Sequence, residues 1–198
     1  MVMNIIAGIV SYFICAISPA IIICKLVKGK DIRSFGSKNA GTTNAIRVMG
    51  KFWGGLTFIL DILKSFLAYL IIILIGNILK LDIDVSVKSF YLISSVIGHC
   101  YPVYYGFKGG KGVATTIATM IVIDSEITAV ILITSAIIIL VTRMISVGSI
   151  SGIILLFVMT FVMLPEYIIA VFIISTIVIF KHKDNIKRLL KNEEHKLF

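Results

Sequence analysis

The sequence predicts an all-α protein: a polytopic bundle of about seven transmembrane helices, its N-terminus outside and its C-terminus cytoplasmic. Three observations carry that expectation. Of the 198 residues, 59% are hydrophobic, and the mean hydropathy is +1.07, far above a soluble domain. Apolar runs recur at seven places, approximately 4–24, 52–79, 85–105, 112–123, 127–142, 144–164 and 167–180. The basic residues crowd onto alternate connections between those runs. The chain reads as one membrane-embedded domain, 1–198.

In chain order, Met1-Val2-Met3-Asn4 lacks the basic start and small-residue cleavage site of a signal peptide, so the first run is read as a retained span. A hydrocarbon core of about 30 Å needs about 20 helical residues. Runs 4–24, 52–79, 85–105 and 144–164 meet that length, whereas 112–123, 127–142 and 167–180 are short. A helix over 112–123 reaches only about 18 Å. It must extend into the adjoining loop or be surrounded by protein. Cys15 and Cys24 lie in the first run, where nine-residue spacing sets them on opposite faces of one helix. With no Cys-x-x-Cys and no Cys/His cluster, neither a metal nor a cofactor is expected.

Charge fixes the orientation. One side collects Lys25, Lys28, Lys30, Arg33, Lys38, Arg47 and Lys51, then Lys108 and Lys111, then Arg143, then Lys181, Lys183, Lys187, Arg188, Lys191 and Lys196. That side is cytoplasmic by the positive-inside rule. The other side carries only Lys80 and Lys88 as cations, with Asp82, Asp84, Asp124, Glu126 and Glu166. The net charge of +9 therefore points to membrane topology and anionic substrates, not to nucleic acid. Asp61 and Lys64 stay inside the second run, three residues apart on one helix face. A structural ion pair and a functional one remain equal readings. Gly50/Gly54 and Gly148/Gly152 have the spacing of close helix crossings.

Three polar stretches carry the chemistry. The first, 34–47, is Ser-Phe-Gly-Ser-Lys-Asn-Ala-Gly-Thr-Thr-Asn-Ala-Ile-Arg. Its hydroxyls, amides and closing Arg47 are donors for phosphate oxygens. The plainer reading is a turn with a helix cap at Thr42 or Thr43. The second is Gly106-Phe107-Lys108-Gly109-Gly110-Lys111-Gly112-Val113. Its backbone N–H groups could converge on an anion, with a helix restarting at Val113. It is not a Walker loop, because Tyr105 and Gly112 stand where Gly and Ser or Thr are required. A basic surface turn is the alternative. The third follows the last run, where His182, Asn185 and Leu189 share a helix face that suits an amphipathic basic helix at an anionic leaflet. His99 before Pro102 reads as a satisfied helix-end histidine, and His195 is assigned nothing.

Four motifs in register resemble the bacterial acyl-phosphate:glycerol-3-phosphate acyltransferases. They are Ser37-x-Asn39-x-Gly41-x-Thr43-Asn44-x-x-Arg47, Gly98-His99-x-x-Pro102 through Thr115, Thr142-Arg143-x-x-Ser146, and His182-x-x-Asn185-Ile186-x-Arg188-Leu189. The resemblance covers the whole chain and implies a seven-helix, N-outside integral membrane enzyme of phospholipid synthesis. It implies that Ser37, Asn39, Gly109 and Lys111 hold the acyl-phosphate and that Arg47, Lys111, Ser146, His182 and Asn185 hold glycerol-3-phosphate. Ser37, Arg47, Lys111 and His182 would be the catalytic set, supported by Thr43 in the first loop's hydrogen-bond network, Asn44, Asp61 and Lys64. The substrates and the lipid bilayer are the implied partners, and association with the enzyme that forms acyl-phosphate is left open. There are departures. Ser65 replaces a usual glycine after Lys64, Cys15-Ala16-Ile17-Ser18-Pro19 replaces Gly-Ser-Ile-Pro, and Asn192-Glu193-Glu194-His195-Lys196 replaces Gly-Thr-Glu-x-Lys, so the tail is kept out of the site.

The sequence has no His-x-x-x-x-Asp, since Tyr104 and Lys187 stand five after His99 and His182. It has no Gly-x-Ser-x-Gly either, Ile150 lying between Gly148 and Gly152. An activated acyl-phosphate needs chiefly approximation and charge neutralisation. Direct transfer without an acyl-enzyme is expected, with a substrate phosphate taking the hydroxyl proton. The rival class is a transporter of a phosphorylated metabolite. Against it, the chain has no internal repeat and only Asp61 and Lys64 as mid-membrane polar residues.

Overall fold

The structure, a computed structural model, describes residues 1–196. All regular structure among them is helical. The chain forms two compact units, Met1–Thr119 and Met120–Phe198, and passes from one to the other within a helix.

The first unit contains α1 (Val2–Cys15), α2 (Pro19–Lys28), α3 (Thr42–Met49), α4 (Lys51–Leu79), α5 (Val85–Cys100) and most of α6 (Val113–Ile123), with 3₁₀ turns at Ile32–Ser34 and Val103–Tyr105. α1 packs between α4 and α5. Its Met3, Ala7, Ser11 and Cys15 recur every four residues and form the buried stripe. Gly98 of α5 meets it where a Cβ would overlap the Tyr12 carbonyl. Hydrocarbon offers no hydrophobic drive between helices, so this close packing supplies the attraction. α4 buries Gly54, Thr57, Asp61, Lys64, Ser65, Ala68, Ile72 and Gly76 along one face and exposes Ile59, Leu63, Leu67, Leu70 and Leu74 on the other. The intramembrane charges therefore point into protein.

The second unit contains α7 (Ser125–Thr142), α8 (Ile145–Met163), a 3₁₀ turn at Pro165–Tyr167, α9 (Ile168–Lys181) and α10 (Lys183–Leu190). Asp124 caps α7 by accepting the Ile127 N–H at 2.8 Å. Gly148 and Gly152 face α7, where side chains would collide with Ile139 and Ser135. That pair is the close crossing its spacing predicts. Gly50, by contrast, is the left-handed turn residue (φ 90°) between α3 and α4, and Gly54 makes room for Ile46.

Every apolar run contains helix, yet the helix lengths differ from expectation. Among the described residues, four segments are long and apolar enough to cross a membrane: Val2–Lys28, Lys51–Leu79, Ser125–Thr142 and Ile145–Met163. A fifth joins them if Pro165–Lys181 and Lys183–Leu190, bent by 57°, count as one span. Run 85–105, expected to span, stops at Cys100 as a helix of 16 residues, because Tyr101 precedes Pro102 and is steered out of the helical region. Run 127–142, expected to be short, gains two residues behind its Asp124 cap and reaches 18. The first run is not one helix. It breaks after Cys15 and restarts with Pro19 at its first position, so Cys15 and Cys24 sit on separate helices, both buried and free.

Candidate active site

The first polar loop is assembled by Asn44. Buried on the first turns of α3, it accepts the Ser37 N–H at 3.0 Å and donates to the carbonyls of Ile32 (3.3 Å), Phe35 (3.1 Å) and Asn39 (3.1 Å). An amide with both kinds of polar atom can close such a loop on itself. Ser37 is consequently held with its side chain exposed, and Asn39 half-buried. Arg47 is exposed in the last turn of α3 and pairs with no carboxylate among the described residues. The Thr43 hydroxyl carries none of the loop's hydrogen bonds, so the network expected of Thr43 runs through Asn44 instead. Nor does Thr42 or Thr43 cap α3. The cap is Gly41, with no side-chain bond.

The glycine loop is shaped by the end of α5. The N–H of Gly109 donates to the Cys100 carbonyl (3.2 Å) and that of Gly110 to the His99 carbonyl (3.1 Å). Those two N–H groups are therefore turned to protein rather than converging on an anion. What the glycines supply is room: a Cβ on Gly109 would overlap the His99 carbonyl, and one on Gly110 the His99 ring. Lys111 follows, half-buried, at the entry to α6.

Behind this loop lies a buried polar cluster. Lys64 Nζ is 2.7 Å from Asp61 Oδ1, donates to the Ile17 carbonyl at 2.8 Å, and lies 3.1 Å from His99 Nδ1. His99 Nδ1 is also 3.3 Å from Asp61 Oδ1. The ammonium thus sits among the Asp61 carboxylate, the Ile17 carbonyl and the His99 ring. The break at residues 16–18 gives this a purpose, since Ile17 lies outside both helices with its carbonyl turned to Lys64. Ser65, in the place of a glycine, is fully buried and returns its hydroxyl to the Asp61 carbonyl at 3.3 Å.

In the second unit, Ser146 at the start of α8 and Asn185 in α10 both donate to Glu194 Oε1, at 2.9 and 2.8 Å. Arg188 Nε donates to Oε2 at 2.8 Å. The tail, expected to stay apart from these residues, instead meets Ser146 and Asn185 through Glu194. Asn192 adopts φ 58°, the left-handed conformation that Gly and Asn tolerate best, and the reversed chain lays Glu194 among residues singled out for substrate. Burial alone would raise the Glu194 carboxyl, but hydrogen bonds from Asn185, Arg188 and Ser146 hold it below the usual range. His182 is buried, its Nδ1 2.8 Å from the Val178 carbonyl. His182 and Asn185 share the inward face their spacing predicts, while Lys183, Asp184 and Lys187 are exposed.

Sequence reasoning missed two members. His99 lies 35 residues from Lys64, beyond any local spacing, and Glu194 was hidden because Asn192 stands where a glycine would have announced the turn.

The glycerol-3-phosphate acyltransferase family profile matches residues 5–192. A glycerol-3-phosphate acyltransferase of Finegoldia magna is 41% identical over 197 residues, covering 98% of this chain and 96% of its own. That of Clostridioides difficile is 37% identical, with coverage of 98% and 95%. A crystal structure of PlsY (YgiH), an integral membrane glycerol 3-phosphate acyltransferase, in its glycerol 3-phosphate form, is similar with a TM-score of 0.86 and 35% identity, covering 98% of this chain and 94% of that one. Its lysophosphatidic acid form gives 0.83 and 33% over the same coverage.

Proposed function

The chain belongs to the glycerol-3-phosphate acyltransferase family, and on that premise we propose that it takes its acyl group from an acyl-phosphate. It is an integral membrane acyltransferase that acylates glycerol-3-phosphate to lysophosphatidic acid. The observation that carries this is the full-length likeness to the glycerol 3-phosphate form of PlsY.

The proposed chemistry is direct. The glycerol-3-phosphate hydroxyl attacks the acyl carbonyl, the carbonyl–phosphate bond breaks, and inorganic phosphate leaves. The hydroxyl proton passes to a substrate phosphate. Ser37, Asn39, Gly109 and Lys111 hold the donor phosphate. Gly109 acts there through the space beside its α-carbon, since its N–H is engaged. Arg47, Lys111, Ser146, His182 and Asn185 hold the acceptor. Neutralising two mutually repelling phosphates is the main work asked of the protein, and holding the hydroxyl near the carbonyl supplies the rest. Asn44 supports the first loop through its hydrogen bonds, and Asp61 and Lys64 support the glycine loop through His99. Glu194 joins this set by orienting the amide of Asn185 and the hydroxyl of Ser146.

The same proposal treats 1–198 as one catalytic domain. It assigns seven spans, the N-terminus outside, and a site facing the cytoplasm from the cell membrane. The short helices α5 and α6 would cross with loop and protein completing their length, and the basic connections support the orientation.

The test is purified protein in detergent with labelled glycerol-3-phosphate and, in parallel, palmitoyl-phosphate, palmitoyl-CoA and palmitoyl-carrier protein, beside Lys111→Ala. Product from palmitoyl-phosphate alone, lost in the variant, supports donor and loop together. Product from the thioesters instead removes the acyl-phosphate. Undiminished product from the variant removes Lys111 from the site. Labelled glycerol-3-phosphate entering proteoliposomes without acyl transfer would favour the transporter.

A further inference from the structure

The guanidinium of Arg33, one of the clustered basic residues, bonds in two directions. On one side it is locked to Asp31. Nε lies 3.1 Å from each carboxylate oxygen and Nη2 donates to Oδ2 at 2.8 Å, while the Arg33 N–H donates to Oδ1 at 2.9 Å. This fixes the plane of the fork. On the other side Nη1 donates to the Tyr105 carbonyl at 2.6 Å and the Lys108 carbonyl at 3.0 Å. Those carbonyls bracket Gly106 and Phe107, whose φ angles are 65° and 59°. A left-handed phenylalanine is disfavoured because its Cβ crowds the following carbonyl, so the reversal that begins the glycine loop needs holding, and Arg33 holds both its ends.

The same residue begins the first polar loop. Ile32–Ser34 is a 3₁₀ turn whose Ile32 carbonyl accepts from Asn44, and Asn44 in turn orients Ser37. The two loops also touch where Gly110 approaches the Ala40 carbonyl, 3.0 Å from a Cβ built there. Arg33 therefore ties the turn that presents Lys111 to the frame that presents Ser37 and Asn39. A lysine could not replace it, having a point charge where a planar fork is needed.

We infer that Arg33, braced by Asp31, is a positioning residue for acyl transfer: it sets the first polar loop and the glycine loop at the spacing that lets both grip one donor phosphate. The inference rests on the reading that both loops bind that phosphate. Arg33 itself touches no substrate in it. Removing Arg33 should loosen the glycine loop and weaken donor binding, and should do so through Lys111.

The experiment uses the full chain in detergent: wild type, Arg33→Ala, Arg33→Lys, Lys111→Ala and the Arg33→Ala/Lys111→Ala double variant. It reads the KM for palmitoyl-phosphate, kcat, and trypsin cleavage after the exposed Lys108. Arg33→Ala should raise that KM about ten-fold or more, and the double variant should fall no more than about three-fold below Lys111→Ala, because residues acting through one loop are not additive. Cleavage after Lys108 should quicken. Arg33→Lys should recover little of either, and it carries the same readouts if Arg33→Ala cannot be purified. A KM unchanged in Arg33→Ala, or losses that multiply in the double variant, would overturn the inference. A wild type making no lysophosphatidic acid would mean that the functional reading has failed instead. Cleavage after Lys108 unaltered by Arg33→Ala would still overturn the clasp by itself.

Discussion

Two polar clusters in this protein solve one problem differently. Asp61, Lys64 and His99 form theirs between α4 and α5, with Lys64 and Asp61 only 7% and 2% exposed. Ser146, Asn185, Arg188 and Glu194 form theirs around one carboxylate, with Arg188 still 26% exposed. The first balances full charges against each other and against a backbone carbonyl freed by a helix break. The second surrounds a single anion with two neutral donors and a wet guanidinium. A charge removed from the first leaves its partner stranded in a poorly solvated place. Removing a donor from the second leaves an anion that two others still satisfy. The first cluster should therefore govern whether the protein folds, and the second how well it binds.

The largest effect should come from Lys64→Ala or Asp61→Ala. Breaking a buried pair from one side costs about 3–5 kcal/mol, enough to collapse the yield of folded protein in detergent. Replacing both at once, Asp61→Asn with Lys64→Met, should recover much of that loss. A double variant as unstable as the sum of the singles would mean that the pair is not coupled as described.

Glu194→Ala comes next. It strands three donors, with a loss of about 1–3 kcal/mol, and the KM for glycerol-3-phosphate should rise well beyond that for the acyl donor. Equal changes in both would speak for general loosening. The same carboxylate gives a pH dependence. Its folded pKa is depressed, so its stabilisation is present above the ordinary glutamate value of about 4.3 and is lost as pH falls through the lower folded value. Thermal unfolding followed down through that window should show the loss in the wild type and not in Glu194→Gln. Arg188→Ala should have the smallest effect, about 0–1 kcal/mol, and salt should erase much of it. Salt should barely alter the contribution of Asp61 and Lys64.

The contrast also sorts what could be read from the sequence. Asp61 and Lys64 announced themselves as charges in an apolar run at helical spacing, and His182 and Asn185 as an inward face. The Arg33 clasp, the hub role of Asn44 and the place of His99 are tertiary facts. Each joins residues whose separation follows from how helices pack, which no local period encodes. Span lengths failed for a simpler reason. Hydropathy marks which residues suit lipid, but Pro102 and the Asp124 cap decide where helices stop and start, shortening one run and lengthening another. The contacts of Glu194 were hidden because a single Asn for Gly concealed a left-handed turn that both residues can make.

The most direct measurement is stoichiometry. Purified wild-type protein is given palmitoyl-phosphate with and without glycerol-3-phosphate, and lysophosphatidic acid and inorganic phosphate are counted together. Direct transfer predicts one phosphate per lysophosphatidic acid and almost none without the acceptor. Phosphate released as a burst without glycerol-3-phosphate would signal an acyl-enzyme. Lysophosphatidic acid formed with no matching phosphate would contradict the acyl-phosphate donor itself.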